Sequence, residues 1–296
     1  MHTHELLTPQ WTDYELIDCG NREKLERFGK YILRRPEPQA VWPRSLDEMQ
    51  WQQMADALFV GRSNADDGKW VPAHDMPSRW FVGYAYKKMR FRMRLALTGF
   101  KHVGLFPEQA ANWNFIYDNI TRLIASGRNN VEVLNLFAYT GGATLAAASA
   151  GARVTHLDSV HTMVSWANDN LQENGLQSVR WVVDDALKYV RREVRRGHKY
   201  SGIILDPPAY GRGTNGEKWI LEQNIAEMLD LCSQLLEEHD AFLVLNLYSM
   251  GLSSTVARSA IYHSFGIYDS EQFGELCFTD RGGTTLPLGV YYRFTR

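Results

Sequence analysis

The chain has 296 residues, of which 45% are hydrophobic and 22% charged. These are globular proportions that exclude wholesale disorder and leave room for one large α/β domain plus a smaller module. Lys plus Arg number 32 and Asp plus Glu 34, a formal net charge of -2, which excludes a globally basic nucleic-acid coat protein while allowing local basic patches.

No apolar run reaches the roughly 18 residues a membrane helix needs, so no membrane association is expected. The opening MHTHELLTPQW has no charged-then-apolar leader, and a secretory signal is not expected. Cys19, Cys232 and Cys277 lack metal-type spacing and cannot all pair within one chain; a reducing, cytoplasmic setting and no metal site are expected.

In chain order, residues 12–105 carry short aromatic and β-branched stretches broken by Pro and Gly: Tyr31-Ile32-Leu33, Ala40-Val41-Trp42 and Trp80-Phe81-Val82-Gly83-Tyr84. They predict a small β-rich N-terminal module over 1–105. Within it, 87–95 alternates basic and apolar residues, which on a strand puts Lys88, Arg90, Arg92 and Arg94 on one face and Met89, Phe91, Met93 and Leu95 on the other. A phosphate-contacting stripe is one reading; a solvated sheet face is the simpler one. A helix over 107–126, with Pro107 near its start, links this module to the remainder.

Beyond about 130, apolar strands alternate with helical stretches. Strands are predicted at 131–137, 153–158, 179–183, 202–206 and 241–247, and helices at 143–150, 163–174, 186–196 and 218–238. Further strands follow over 274–294 around a turn at Gly282-Gly283. The alternation predicts an α/β fold: a Rossmann-like, doubly wound mixed sheet over 106–296. The basic run Arg191-Arg192-Glu193-Val194-Arg195-Arg196 falls at a helix C-terminus, where the helix dipole favours cations.

Open α/β sheets bind ligands at the carboxyl ends of their strands, and here those ends carry the informative residues. The first strand enters Phe137-Ala138-Tyr139-Thr140-Gly141-Gly142, whose glycines let backbone approach a ligand. This turn lacks the G-x-G-x-x-G pattern of a pyrophosphate cradle. The second strand ends at Asp158, suited to accept from ribose hydroxyls. Asp158 or Ser159 could equally cap the next helix. Asp185, at the third strand end, could accept from an adenine amino group or cap a helix, with Ala186 beside it. The fourth strand ends in Asp206-Pro207-Pro208-Ala209-Tyr210. The prolines stiffen the exit and remove ladder donors. The Asp206 carboxylate and the Pro207 carbonyl are two acceptors, and Tyr210 offers a stacking face, which together suit a planar exocyclic amine. A mere strand terminator is the alternative.

These residues resemble the class I S-adenosylmethionine-dependent methyltransferases, and within them the large-subunit ribosomal RNA methyltransferase I family. The resemblance rests on LNLFAYTGGATL, THLDS, VDDA, LDPPAYGRG and NLYSMGLS, and on KLERFGKYILRRPEPQAVWP and HVGLFPEQAANW. LDPPAY is similar to the (D/N)-P-P-(Y/F/W) motif of amino-methylating members, with Ala209 in the aromatic place and Tyr210 one residue later. The resemblance implies S-adenosyl-L-methionine as cofactor. Phe137, Ala138, Tyr139, Thr140, Gly141 and Gly142 would wrap its methionine part, Asp158 with Ser159 its ribose, and Asp185 with Ala186 its adenine. Gln109, in Phe106-Pro107-Glu108-Gln109, would close over it, although Ala110-Ala111-Asn112-Trp113 follows where ribosomal relatives carry arginines. Asp206, Pro207, Pro208 and Tyr210 would line the reaction site. The acceptor that the resemblance implies is a base nitrogen of RNA, ribosomal by the family branch; a protein or small-molecule acceptor, or a nicotinamide-dependent oxidoreductase, are the competing functions.

Carbon-5 methylation of a pyrimidine needs a cysteine thiolate. The family's cysteine position after the fifth strand reads Asn246-Leu247-Tyr248-Ser249-Met250-Gly251 here, so this chemistry is not expected. The scattered His102, His156, His161 and His263 are assigned no role.

Overall fold

A computed structural model describes residues 4–61, 67–73, 75–214, 216–248, 252–266, 268 and 270–296. In chain order its elements are β1 (His4–Leu7), β2 (Tyr14–Gly20), β3 (Glu23–Phe28), β4 (Tyr31–Pro36), α1 (Glu48–Met54), β5 (Ala57–Gly61), β6 (Gly68–Pro72), β7 (Arg79–Tyr86) and β8 (Met89–Ala96). A 3-10 turn (Pro107–Gln109) leads into α2 (Ala110–Ala125), β9 (Glu132–Leu136), α3 (Gly142–Ser149), β10 (Arg153–Asp158), α4 (His161–Glu173), β11 (Val179–Val183), α5 (Ala186–Arg196) and β12 (Gly202–Leu205). Then come β13 (Tyr210–Arg212), β14 (Lys218–Ile220), α6 (Leu221–Leu235), β15 (Phe242–Leu247), α7 (Ser254–Phe265), β16 (Gln272–Thr279) and β17 (Thr285–Thr295). Two compact units result: the larger comprises Met1–Leu7, Gln109–Leu276 and Gly289–Arg296, the smaller Thr8–Glu108 and Cys277–Leu288.

The larger unit is built on an eight-stranded mixed sheet in the order β1-β16-β17-β15-β12-β9-β10-β11. β9 to β12 and β15 pair in parallel and β17 pairs antiparallel to β15. Successive side chains on a strand point to opposite faces, so each interior strand feeds two cores. Leu134, Leu136, Ile203, Leu205, Leu243 and Leu245 pack with α5, α6 and α7 residues such as Tyr189, Leu229 and Ile261. Val133, Ile204, Phe242 and Val244 pack on the other side with Ile116, Ile120 and Leu123 of α2 and Ala147 of α3. This is the doubly wound arrangement the alternation predicts. The order reverses at β9, with β10 and β12 on its two sides, which opens a crevice at the carboxyl end of β9.

The smaller unit holds a five-stranded sheet, β2-β3-β4-β5-β6, and the β7–β8 hairpin. Its core includes Ile17, Leu25 and Trp51. Asp18 is buried beneath α1, where it accepts from Trp51 Nε1 at 2.7 Å and from the backbone N–H groups of Cys19, Ser45 and Leu46 at 2.9, 3.1 and 2.9 Å. Four donors compensate the burial of one charge.

Several elements depart from the sequence expectation. Residues 40–42 are not a strand: Pro36, Pro38 and Pro43 surround them, and they turn, with the Ala40 N–H donating to the Glu37 carbonyl at 3.1 Å. The helix expected from 218 begins at Leu221, because Lys218–Ile220 pairs with Tyr210–Arg212 and Asn224 Oδ1 accepts from the Ile220 N–H at 2.8 Å, ending the strand. β1, α1 and α7 were not anticipated. The two helices carry readable start signals: Asp47 with Gln50 forms a capping box, and Ser253 caps α7 through the Val256 N–H.

Candidate active site

Five strand ends meet the crevice. The turn after β9 holds left-handed backbone at Phe137, Tyr139 and Gly141, with φ of 56°, 49° and 91°. Glycine adopts this conformation freely. For the two aromatic residues it stores strain of order 1–3 kcal/mol each, so other contacts must hold it. The Ala138 N–H donates to the Leu157 carbonyl at 3.0 Å, the Tyr139 N–H to Asp158 Oδ2 at 2.9 Å, and Asn170 Nδ2 to the Thr140 carbonyl at 3.0 Å. Beneath the turn lies a buried polar chain that the sequence reading left without a role. Asn135 Nδ2 donates to Thr144 Oγ1 at 2.9 Å, and that hydroxyl lies 2.9 Å from His156 Nδ1. Burial pushes the His156 pKa down to about 3 against a hydrogen bond to the Tyr139 backbone, so the ring is neutral and serves as a fixed dipole under the turn.

The two glycines of the turn do different work. Gly141 needs its positive φ. At Gly142 a Cβ would stand 2.5 Å from the Trp113 ring of α2, so this glycine admits a tryptophan. From the same helix start, Asn112 Nδ2 donates to Gln109 Oε1 at 2.9 Å and Gln109 Nε2 donates to Tyr248 Oη at 2.7 Å. Gln109 is thus tied beside the end of β15. The neighbouring Ser249, Met250 and Gly251 of the NLYSMGLS segment lie outside the described residues.

Asp158, half-buried at the tip of β10, accepts from the Tyr139 N–H through one oxygen and from the Val160 N–H at 2.9 Å through the other. Burial raises its pKa, and these backbone donors oppose the rise. Each oxygen keeps acceptor capacity for a further donor. Ser159 does not cap α4; its hydroxyl donates to the Arg212 carbonyl at 3.1 Å. Asp185 does cap α5, Oδ1 accepting from the Lys188 N–H at 2.9 Å. Its other oxygen stands against Gly213, where a Cβ would come within 2.9 Å. The β13–β14 hairpin therefore leans across the ends of both β10 and β11.

Asp206 is half-buried and Pro207 buried, while Pro208 and Tyr210 are exposed. Burial pushes the Asp206 carboxyl up to about 7, opposed by Asn246, whose amide donates to Asp206 Oδ1 at 2.9 Å. Tyr210 is 54% exposed on β13. The aromatic group packed into this corner is Trp219 of β14: its indole N–H donates to the Pro208 carbonyl at 2.7 Å, and its ring lies 4.8 Å from that of Phe137. The sequence pattern places Trp219 in a helix over 218–238, whereas the structure puts it on β14. Asn246 carried no signal beyond its position at a strand end.

All three cysteines are buried. Cys232 sits among the α6 core residues, where burial raises its thiol pKa, and burial pushes Cys19 up to about 12. Neither thiol is poised as a nucleophile.

The geometry defines a class I, Rossmann-like nucleoside-cofactor fold, and comparison with known proteins agrees. A family model described as S-adenosylmethionine-dependent methyltransferase matches residues 69–252. The chain belongs to that family, which sets aside the nicotinamide-dependent alternative. A SAM-dependent methyltransferase from Agrobacterium tumefaciens is 34% identical, with a TM-score of 0.89 over 99% of this chain and 94% of that one. A protein solved in complex with SAH shares the fold at 15% identity and a TM-score of 0.70, over 97% of this chain and 76% of that chain. Among curated sequences, ribosomal RNA large subunit methyltransferase K/L of Shewanella frigidimarina is 33% identical over 159 residues, 52% of this chain and 21% of that protein. The Shewanella baltica protein of the same name is 33% identical over 129 residues, 43% of this chain and 17% of that protein. The chain thus spans about a fifth of the length of these curated relatives. Among the described residues, no helix is long and apolar enough to cross a membrane.

Proposed function

We propose that the protein transfers a methyl group from S-adenosyl-L-methionine to a base nitrogen in RNA, with ribosomal RNA as the substrate. The observation that carries the reading is the half-buried Asp206 carboxylate at the tip of β12, beside the strained turn after β9 and ahead of two prolines. The crevice fits the cofactor on its own chemistry. Asp158 retains acceptor capacity for ribose hydroxyls, and the free oxygen of Asp185 faces the β13–β14 hairpin, where an adenine edge would lie. Phe137 to Gly142, with Gln109 and Ser159, would line the methionine and ribose parts, and Ala186 would flank the adenine.

The bound cofactor supplies an electrophilic methyl group on a sulfonium. The protein's part is positioning and a matched electrostatic field. Asp206 Oδ2 and the Pro207 carbonyl accept from the two N–H bonds of an exocyclic amine, aiming its lone pair across the crevice. The nitrogen gains positive charge as the new bond forms, and the nearby carboxylate stabilises it. With a pKa near 7, Asp206 can then take the proton that the methylated nitrogen sheds. Asn246 keeps the carboxylate oriented. Tyr210 and Pro208 border the entrance for the base.

The ribosomal relatives favour RNA over other acceptors. The test is nucleoside mass spectrometry after incubating the protein with unmodified ribosomal RNA and S-adenosyl-L-methionine. An N-methylated nucleoside is expected, absent with Asp206→Ala although that variant still binds the cofactor. Methyl label found in protein or small-molecule fractions and not in RNA overturns the reading.

A further inference from the structure

We infer that the exposed face of the β7–β8 hairpin is a docking surface for single-stranded RNA. This rests on the proposal that the acceptor is RNA and adds the place where the strand is held. Seven residues of 79–107 are Lys or Arg and none is Asp or Glu, in a chain whose net charge is -2. The hairpin sorts them by strand alternation. Trp80, Val82, Tyr84, Met89, Phe91, Met93 and Leu95 are buried, whereas Arg79, Phe81, Lys88, Arg90 and Arg92 are exposed and Arg94 is half-buried.

The register builds one continuous basic face. Phe81 stands opposite Arg94, Gly83 opposite Arg92, and Ala85 opposite Arg90. Ala85 is small and exposed opposite Arg90, the Asp13 carboxylate lies beside Gly83 and accepts its N–H at 2.7 Å, and the Arg92 guanidinium lies over the Phe81 ring, 4.7 Å from its centroid. Alternate residues on one strand are about 6.8 Å apart, a step an extended nucleic-acid backbone can follow. Phe81, 39% exposed, adds an aromatic surface on which a base can stack. Among the described residues, none of Arg79, Lys88 and Arg90 forms an ion pair; Arg90 bonds only the carbonyls of Lys87 and Met89. An ordinary solvated face intersperses both signs of charge. A hairpin with six basic side chains, one carboxylate against it (Asp13, at Gly83) and an embedded aromatic matches a polyanion carrying flat bases.

The test measures anisotropy of a labelled, uridine-rich single-stranded RNA with the full chain across a salt series. The variant Arg79→Gln/Lys88→Gln/Arg90→Gln changes exposed side chains without ion pairs, and circular dichroism checks its fold. Its affinity at low salt should fall roughly 10-fold or more, and the slope of log K against log salt by about 2, near 0.7 per lost phosphate contact. Phe81→Ala should weaken binding with an unchanged slope, while Arg79→Lys/Arg90→Lys should retain the slope. Unchanged RNA affinity in the triple variant overturns the inference, as does loss of binding to phosphatidylserine vesicles with RNA binding intact. Methyl transfer to ribosomal RNA is read in parallel. Wild-type protein that binds RNA through this face yet methylates none sinks the transfer reading alone; a methylating enzyme whose triple variant binds RNA normally sinks this surface alone.

Discussion

The side-chain amide of Asn246 donates to Asp206 Oδ1 at 2.9 Å, joining the tips of two adjacent parallel strands 40 residues apart in the chain. Among the described residues, this is the interaction that favours the ionised form of a carboxyl pushed up to about 7 by burial. Replacing Asn246 with Leu should raise the Asp206 pKa further. If methyl transfer needs the ionised carboxylate, the rising limb of the rate–pH profile should move to higher pH. Activity lost at neutrality should then return in alkaline buffer. Steady-state rates for wild type and Asn246→Leu across pH check this, and an unshifted limb would separate Asp206 ionisation from turnover.

The two acidic strand ends should separate by titration calorimetry with S-adenosyl-L-methionine. Asp158 holds the Tyr139 N–H and faces the crevice. Asp158→Ala should weaken cofactor binding by roughly 10- to 100-fold, the range for a hydrogen bond to a charged group. Asp185 already caps α5. Asp185→Ala should lower stability by about 1 kcal/mol, whereas Asp185→Asn keeps the cap. Weakened cofactor binding by the Asn variant would show that Asp185 also contacts the adenine; unchanged binding would leave it a cap alone.

Gly142→Ala places a methyl group 2.5 Å from the Trp113 ring. Overpacking of this kind costs about 1–3 kcal/mol. Thermal unfolding of Gly142→Ala, Trp113→Leu and the double variant should show strong non-additivity, because the smaller side chain removes the clash. Additive effects would mean that the ring moves aside freely.

Glu108 is buried, and burial pushes its carboxyl from 4.5 up to about 7; Lys24 and Arg35 oppose the rise, and Glu26 adds to it. The unfolded chain therefore releases this proton at lower pH than the folded one does. Stability is present below about 4.5 and falls as pH rises towards about 7, by at most ~1.4 kcal/mol per pH unit. Glu108→Gln should raise the melting temperature at pH 8 and leave it nearly unchanged at pH 4. Equal melting shifts at both pH values would contradict the assignment.

Much of the larger unit was legible because its signals are local. The predicted strand at 153–158 and helix at 186–196 coincide with β10 and α5, since apolar alternation and a cap followed by helix formers need only neighbouring residues. Trp219 shows the limit: Lys-Trp-Ile beside a helical stretch reads as helix until its partner strand Tyr210–Arg212 is in place. Likewise, the basic alternation of 88–94 indicates a strand with one wet face, but the pairing with β7 brings Phe81 into the stripe.

The sequence by itself determined the class of fold, the alternation of strand and helix from β9 to β12, and the acidic residues at the strand ends. Pleat period and helix period are properties of consecutive residues. Tertiary structure alone decided which oxygens of Asp158 and Asp185 are taken by backbone donors, that Asn246 answers Asp206, and that Trp113 dictates Gly142. Those relationships depend on parallel register and helix packing between segments tens of residues apart, and a register shift of a single residue would reverse the face on which each side chain lies.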